Sequence, residues 1–99
     1  MYLVHIHLQP PSDGISLPPG TPELVTVAAP EEAGLELAVL HADVEPHPVL
    51  GLYVRAPSLE AAEGRACEIW QRSFQAHPVL RRWSLIKAEV PLLLPDSAW

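Results

Sequence analysis

The segment Tyr2-Leu3-Val4-His5-Ile6-His7-Leu8 reads as a single β-strand, and its reading decides the rest. Tyr2, Val4, Ile6 and Leu8 fall on one side and Leu3, His5 and His7 on the other, the period of two that an extended chain imposes. One side is wholly apolar and calls for a covering layer. The other side carries two imidazoles among hydrophobic neighbours.

Outward from this strand the composition changes. From Gln9 to Gly34 there are prolines at 10, 11, 18, 19, 22 and 30, with Gly14 and Gly20. Proline removes a backbone donor and obstructs the preceding helical turn, so this stretch predicts a long irregular connection without a long helix. Within it, Glu23-Leu24-Val25-Thr26-Val27-Ala28 is rich in β-formers and is open to reading as a short extra edge strand. Leu35 to His41 alternates again, and Val49 to Ala56 follows after Asp43-Val44-Glu45-Pro46-His47-Pro48, which predicts a hairpin with a longer loop.

After Ala56-Pro57, Ser58 is a good N-cap. Leu59, Ala62, Ala66, Ile69, Trp70, Ser73 and Phe74 then recur at spacings of three and four, while Glu60, Glu63, Arg65, Glu68, Gln71, Arg72 and Gln75 fill the opposite side. This predicts one amphipathic helix over 59–76, stopped by His77-Pro78. A last strand is expected from Trp83 to Val90, followed by a tail over 91–99 that contains Leu92, Leu93 and Leu94.

Composition bounds the class. Ninety-nine residues make one domain, 1–99, large enough to support a core without staples. Cys67 is the only cysteine, which excludes an intramolecular disulfide and any paired-cysteine metal knuckle. The net charge of −6, with Arg81-Arg82 the one adjacent basic pair, argues against nucleic-acid binding, because phosphate neutralisation needs clustered cations. With no leader pattern and no apolar run long enough to span a bilayer, the expectation is a soluble cytoplasmic protein with no membrane association.

The order strand, long loop, strand, strand, helix, strand resembles the ferredoxin-like fold, and more narrowly the dimeric α/β-barrel superfamily. The fold class expected is therefore α+β, a ferredoxin-like four-stranded antiparallel sheet with one amphipathic helix, the first helix being replaced by the proline-rich loop. The resemblance lies in element order and rests on no diagnostic motif. It implies a homodimer with two sheets face to face. Members of that superfamily include small cofactor-poor monooxygenases, lactone isomerases, cyclases and ligand-sensing domains.

Assigning faces by alternation places Tyr2, Val4, Ile6, Leu8, Leu50, Leu52, Val54, Ile86, Ala88 and Val90 under the helix. Leu3, His5, His7, Tyr53, Arg55, Leu85, Lys87 and Glu89 fall on the opposite side. In a ferredoxin-like sheet the first strand lies between the third and fourth, which brings His5 and His7 near Tyr53, Arg55, Lys87 and Glu89. These six are the candidate ligand-binding residues, suited to a small anionic or phenolic ligand. An ion pair of Arg55 with Glu89 is the simplest role for that arginine.

His5-x-His7 also suits a general base, since imidazole titrates near neutrality. A metal site needs a third and fourth ligand, and His41, His47, His77 and Glu89 are scattered in sequence, so none is expected. Cys67 beside the helical stripe reads as a small hydrophobe, and Trp70 with Phe74 as core. No phosphate loop, catalytic triad or nucleotide fingerprint is present, and no cofactor is expected. The preferred reading is a homodimeric ligand-binding or accessory protein. Alternatives are a cofactor-poor enzyme using His5 or His7, and an interaction module acting through the proline-rich loop or the tail.

Overall fold

The computed structural model describes residues 1–41 and 47–91. Four strands, β1 (Tyr2–Gln9), β2 (Leu35–His41), β3 (Val49–Val54) and β4 (Ser84–Glu89), form one sheet in the order β2-β3-β1-β4, every neighbouring pair antiparallel. Two helices, α1 (Thr21–Ala28) and α2 (Leu59–Ala76), join it. The result is an α+β architecture consistent with ferredoxin-like topology. Part of the loop between β2 and β3, the leucines of the tail and Trp99 lie outside the described residues.

Alternation in β1 is realised as read. Val4, Ile6 and Leu8 are completely buried, whereas Leu3, His5 and His7 are half-buried. Val4 faces Leu52 and Ile6 faces Leu50 across the β1–β3 ladder, and Ala38 and Leu40 of β2 extend the same side. Onto this layer α2 lays Ala62, Ala66, Ile69 and Trp70. Each fully buried aliphatic side chain contributes about 1.5–3 kcal/mol relative to exposure. The Ser58 hydroxyl accepts from the Ala61 amide at 3.1 Å and starts α2 where the cap was expected.

The first correction concerns residues 21–28. The proline-rich connection does not stay irregular there, and the β-prone segment 23–28 is not an edge strand. It belongs to a two-turn helix, so the sheet carries two helices rather than one. Pro22 stands in the first turn, where no N–H is needed and the fixed φ already suits a helix. The Thr21 hydroxyl donates to the Pro18 carbonyl at 2.7 Å, and that of Thr26 to the Pro22 carbonyl at 2.8 Å. Val25 is wholly buried in the core, and that burial overrides the weak helix propensity of the β-branched run. The His77 ring donates from Nε2 to the Leu24 carbonyl at 3.2 Å, tying the end of α2 to α1.

The second correction concerns β4. A bulge interrupts the β1–β4 ladder. His7 faces Lys87 but Leu8 faces Leu85, so Ile86 is an extra residue. An added residue shifts the alternation by one. Leu85, expected beside the histidines, packs against the core, and Ile86, expected in the core, is 44% exposed. Trp83, expected to open the last strand, instead lies buried just before it, because a short 3₁₀ turn over Pro78–Arg82 carries it and Leu80 inward before the strand begins.

Candidate functional site

Neither helix covers the second side of the sheet. Reading across it, Leu37, Val39 and His41 come from β2, Val49, Gly51 and Tyr53 from β3, Leu3, His5 and His7 from β1, and Lys87 and Glu89 from β4. His5 stands between Gly51 and Glu89, and His7 between Val49 and Lys87, because β1 is central. His41 stands opposite Val49 on that residue's other flank. The rings of His5 and His7, and those of His5 and His41, have centroids 6.2 Å apart.

His47 completes the group. Pro48 offers its carbonyl to the Leu8 amide at 3.2 Å, which holds the chain beside β1 just where His47 departs from it. Its ring meets that of His7 edge to face at 5.1 Å, with a hydrogen bond of 2.9 Å between His7 Nδ1 and His47 Nε2. The other nitrogen of His7, Nε2, lies 3.2 Å from Glu89 Oε1. That contact is close enough for electrostatic attraction but lies off the line of a good hydrogen bond, since this buried nitrogen has no aligned partner. Lys87 Nζ approaches the same Oε1 at 3.3 Å.

These surroundings set the charge states. Burial lowers the pKa of His5 below its ordinary value, and the neighbouring His7 and His41 lower it further against the opposing pull of Glu89. Burial likewise lowers that of His7, with Lys87 and His47 outweighing, together with burial, the carboxylate of Glu89. The Lys87 ammonium, more than His7, holds the Glu89 carboxyl below the usual carboxylate range. At neutral pH His5 and His7 are therefore neutral, beside the ionised carboxylate of Glu89.

Of the six residues singled out by sequence, His5, His7, Lys87 and Glu89 are thus brought together. Tyr53 shares the face but lies opposite Leu3, nearer its far end. Arg55 is engaged elsewhere: its Nε bonds Glu36 Oε2 at 2.7 Å, and Glu36, not Glu89, is its ion-pair partner. His41 and His47, scattered in sequence, join the group, while His77 belongs to the α1–α2 contact. His41 was legible in the alternation Leu37, Val39, His41 once the hairpin is drawn. His47 carries no periodic signal.

Among the described residues no group of three or more His, Cys, Asp or Glu side chains is arranged to hold a metal ion. The 2.9 Å between the facing His7 and His47 nitrogens is a hydrogen-bond distance. Two imidazoles on one tetrahedral zinc, with bonds of about 2.0–2.1 Å, hold their nitrogens about 3.3 Å apart. Cys67 is partly buried, and burial with the charge of Glu63 pushes its thiol up, away from thiolate chemistry.

Away from the histidines, the described residues form clefts at the end of α2 and beside α1. One, of about 440 Å³, is lined by Trp70, Gln71, Phe74, Gln75, Ser84 and Leu85, between the end of α2 and β4. The other, of about 380 Å³, lies between α1 and β2 and includes Val27 and Leu37. Neither lining contains a histidine, so these hollows are separate from the ionisable cluster. No helix among the described residues is long and apolar enough to cross a membrane. No family model matches the chain, and neither the curated proteins nor the solved structures contain a significant match to it.

Proposed function

We propose that the protein is a small homodimeric binding or accessory protein that takes a small anionic or phenolic ligand on its uncovered sheet face. The observation that carries this reading is the gathering of His5, His7, His41 and His47 beside Lys87 and Glu89 on the side of the sheet that neither α1 nor α2 covers. Neutral imidazoles both accept and donate hydrogen bonds, and Lys87 supplies the cation that an oxyanion needs. Leu37, 55% exposed, and Ile86, 44% exposed, stand on the two edge strands and would be covered by a second copy. A face-to-face pair would follow the arrangement of the dimeric α/β barrels.

A second reading, a cofactor-poor enzyme of that type, draws on the way His7 is held between a carboxylate and another imidazole. A histidine fixed on both sides is suited to general-base work.

Light scattering at tens of micromolar tests the dimer, and titration of the imidazole resonances with small carboxylates and phenols tests the ligand. A species of twice the chain mass, with ligand-induced shifts confined to the histidine face and abolished in His5→Ala/His7→Ala, is the expected result. A monomer removes the paired-sheet reading. Binding unchanged in the double variant removes the histidine face as the ligand site.

A further inference from the structure

We propose that Glu89, His7 and His47 form a directional proton relay whose outer end, the first acceptor, is Nδ1 of His47, serving a ligand with an acidic hydroxyl. The inference deepens the reading of the histidine face as a binding site and rests on it for the ligand. The direction, by contrast, follows from the placement of the Glu89 carboxylate beside one nitrogen of His7 and of His47 beside the other.

An ionised carboxylate only accepts hydrogen bonds, whereas a neutral imidazole has one donor nitrogen and one acceptor. His7 Nε2 faces Glu89 Oε1 at 3.2 Å. If that nitrogen carried the lone pair, a half-buried ring would set it against a negative charge. The proton therefore sits on Nε2, which makes His7 Nδ1 the acceptor. The 2.9 Å contact between His7 Nδ1 and His47 Nε2 needs one proton between the two atoms, and His47 must supply it. A neutral His47 protonated at Nε2 keeps its lone pair on Nδ1. The second nitrogen of His47, and not either nitrogen of His7, is then the basic atom of the array.

The groups around the array suit transfer. Lys87 Nζ shares Oε1 of Glu89 with His7, which keeps the carboxyl ionised and tempers its pull on the ring. His5 faces Glu89 from β1, and His41 approaches from β2 beyond His5. When a bound hydroxyl loses its proton, the O–H bond breaks and an N–H bond forms at His47 Nδ1. The proton on His47 Nε2 passes to His7 Nδ1. The positive charge then resides on His7, beside the Glu89 carboxylate, and His47 donates from Nδ1 to the oxyanion it has generated. Release of the ligand in its protonated form runs these steps backwards.

Tautomers are read directly from long-range proton–nitrogen correlations of the imidazole rings at neutral pH. Both His7 and His47 are expected to be protonated at Nε2. In Glu89→Gln, with an unchanged amide spectrum, His7 is expected to lose that preference, because glutamine can donate as well as accept. A wild-type His7 protonated at Nδ1, or one whose tautomer is indifferent to Glu89→Gln, would overturn the relay.

With para-nitrophenol as the probe, the bound molecule is expected to be more ionised than the free one at the same pH, seen as phenolate absorbance. His47→Ala is expected to abolish this excess while Arg72→Ala, on the exposed side of α2, leaves it in place. An excess retained in His47→Ala refutes the role of His47 as first acceptor. The expected tautomers with no binding of para-nitrophenol support the relay's direction and count against the phenol-binding reading alone.

Discussion

His5 stands directly across the β1–β3 ladder from Gly51, so the rings of His5 and His41 meet above a position that has no side chain. A Cβ placed on Gly51 would come within 3.4 Å of a Leu3 methyl and 3.7 Å of His41 Nε2. The glycine lowers the floor of the sheet where the imidazoles crowd, and crowding with burial keeps His5 neutral.

That neutrality has a thermodynamic counterpart. Both His5 and His7 bind protons less readily in the folded chain than in the unfolded one, where they titrate near 6.5. Below that value the unfolded chain takes up protons that the folded chain refuses, so stability declines as pH falls. The depressed carboxyls of Glu89 and Asp13 extend the loss in the same direction at lower pH. The melting temperature is expected to fall between about pH 7 and about pH 5, more shallowly in His5→Ala/His7→Ala. The groups facing these rings are His41, His47, Lys87 and Glu89, and a flat profile over that range would refute the assignment.

Gly34→Ala is expected to cost about 2 kcal/mol in urea unfolding. Gly34 has φ of 72°, in the left-handed region, and an added Cβ would lie 2.8 Å from the Arg55 carbonyl oxygen. The neighbouring backbone cannot yield easily, because the Arg55 amide donates to the Gly34 carbonyl at 2.9 Å. Gly14→Ala, also at positive φ but with open space around it, should cost less.

Arg81→Ala and Arg72→Ala separate a helix cap from an ordinary surface pair. The Arg81 guanidinium donates to the Phe74 and Gln75 carbonyls at 3.1 and 2.8 Å, satisfying the end of α2. Its removal is expected to cost about 0.5–1.5 kcal/mol. Arg72 reaches Glu68 only at 3.8 Å on the exposed side of the same helix, and its removal should cost less than about 0.5 kcal/mol. Equal losses in the two variants would contradict the capping role.

Leu85→Ala is expected to destabilise by about 1–2 kcal/mol, whereas Ile86→Ala should stay within about 0.5 kcal/mol. Regular alternation would give the reverse ranking. Chemical denaturation of the two variants decides between them, with Ile86→Lys then reporting by light scattering whether this edge takes part in a dimer.

Much of the architecture was legible because burial on a sheet imposes a strict period. The runs containing Val4, Ile6 and Leu8, or Leu50, Leu52 and Val54, admit one orientation, and the stripe through Ala62, Ala66 and Ile69 admits one helix. The misread stretches share a cause. Val25 is helical because the core receives it, and local propensity does not report tertiary burial. The bulge at Ile86 arises from pairing with β1, which β4 does not reveal on its own. The site was half legible. His5, His7, Lys87 and Glu89 follow from strand order, but His47 depends on a single carbonyl of Pro48 holding a loop against β1.

The bulge also means that β4 counts one residue more than the sheet does. Pairing on either side of it is already in step, Leu85 with Leu8 and Lys87 with His7, so Ile86 spaces nothing that the ladder requires. Loss of the single codon for Ile86 would leave every remaining residue of β4 with its present partner. Removing one residue from the middle of β1 would instead transfer half of that strand from one side of the sheet to the other. Together with Glu36, which the β2–β3 ladder likewise skips between Leu35 and Leu37, Ile86 marks a place where inheritance can shorten a strand without rewriting its ladder pairing.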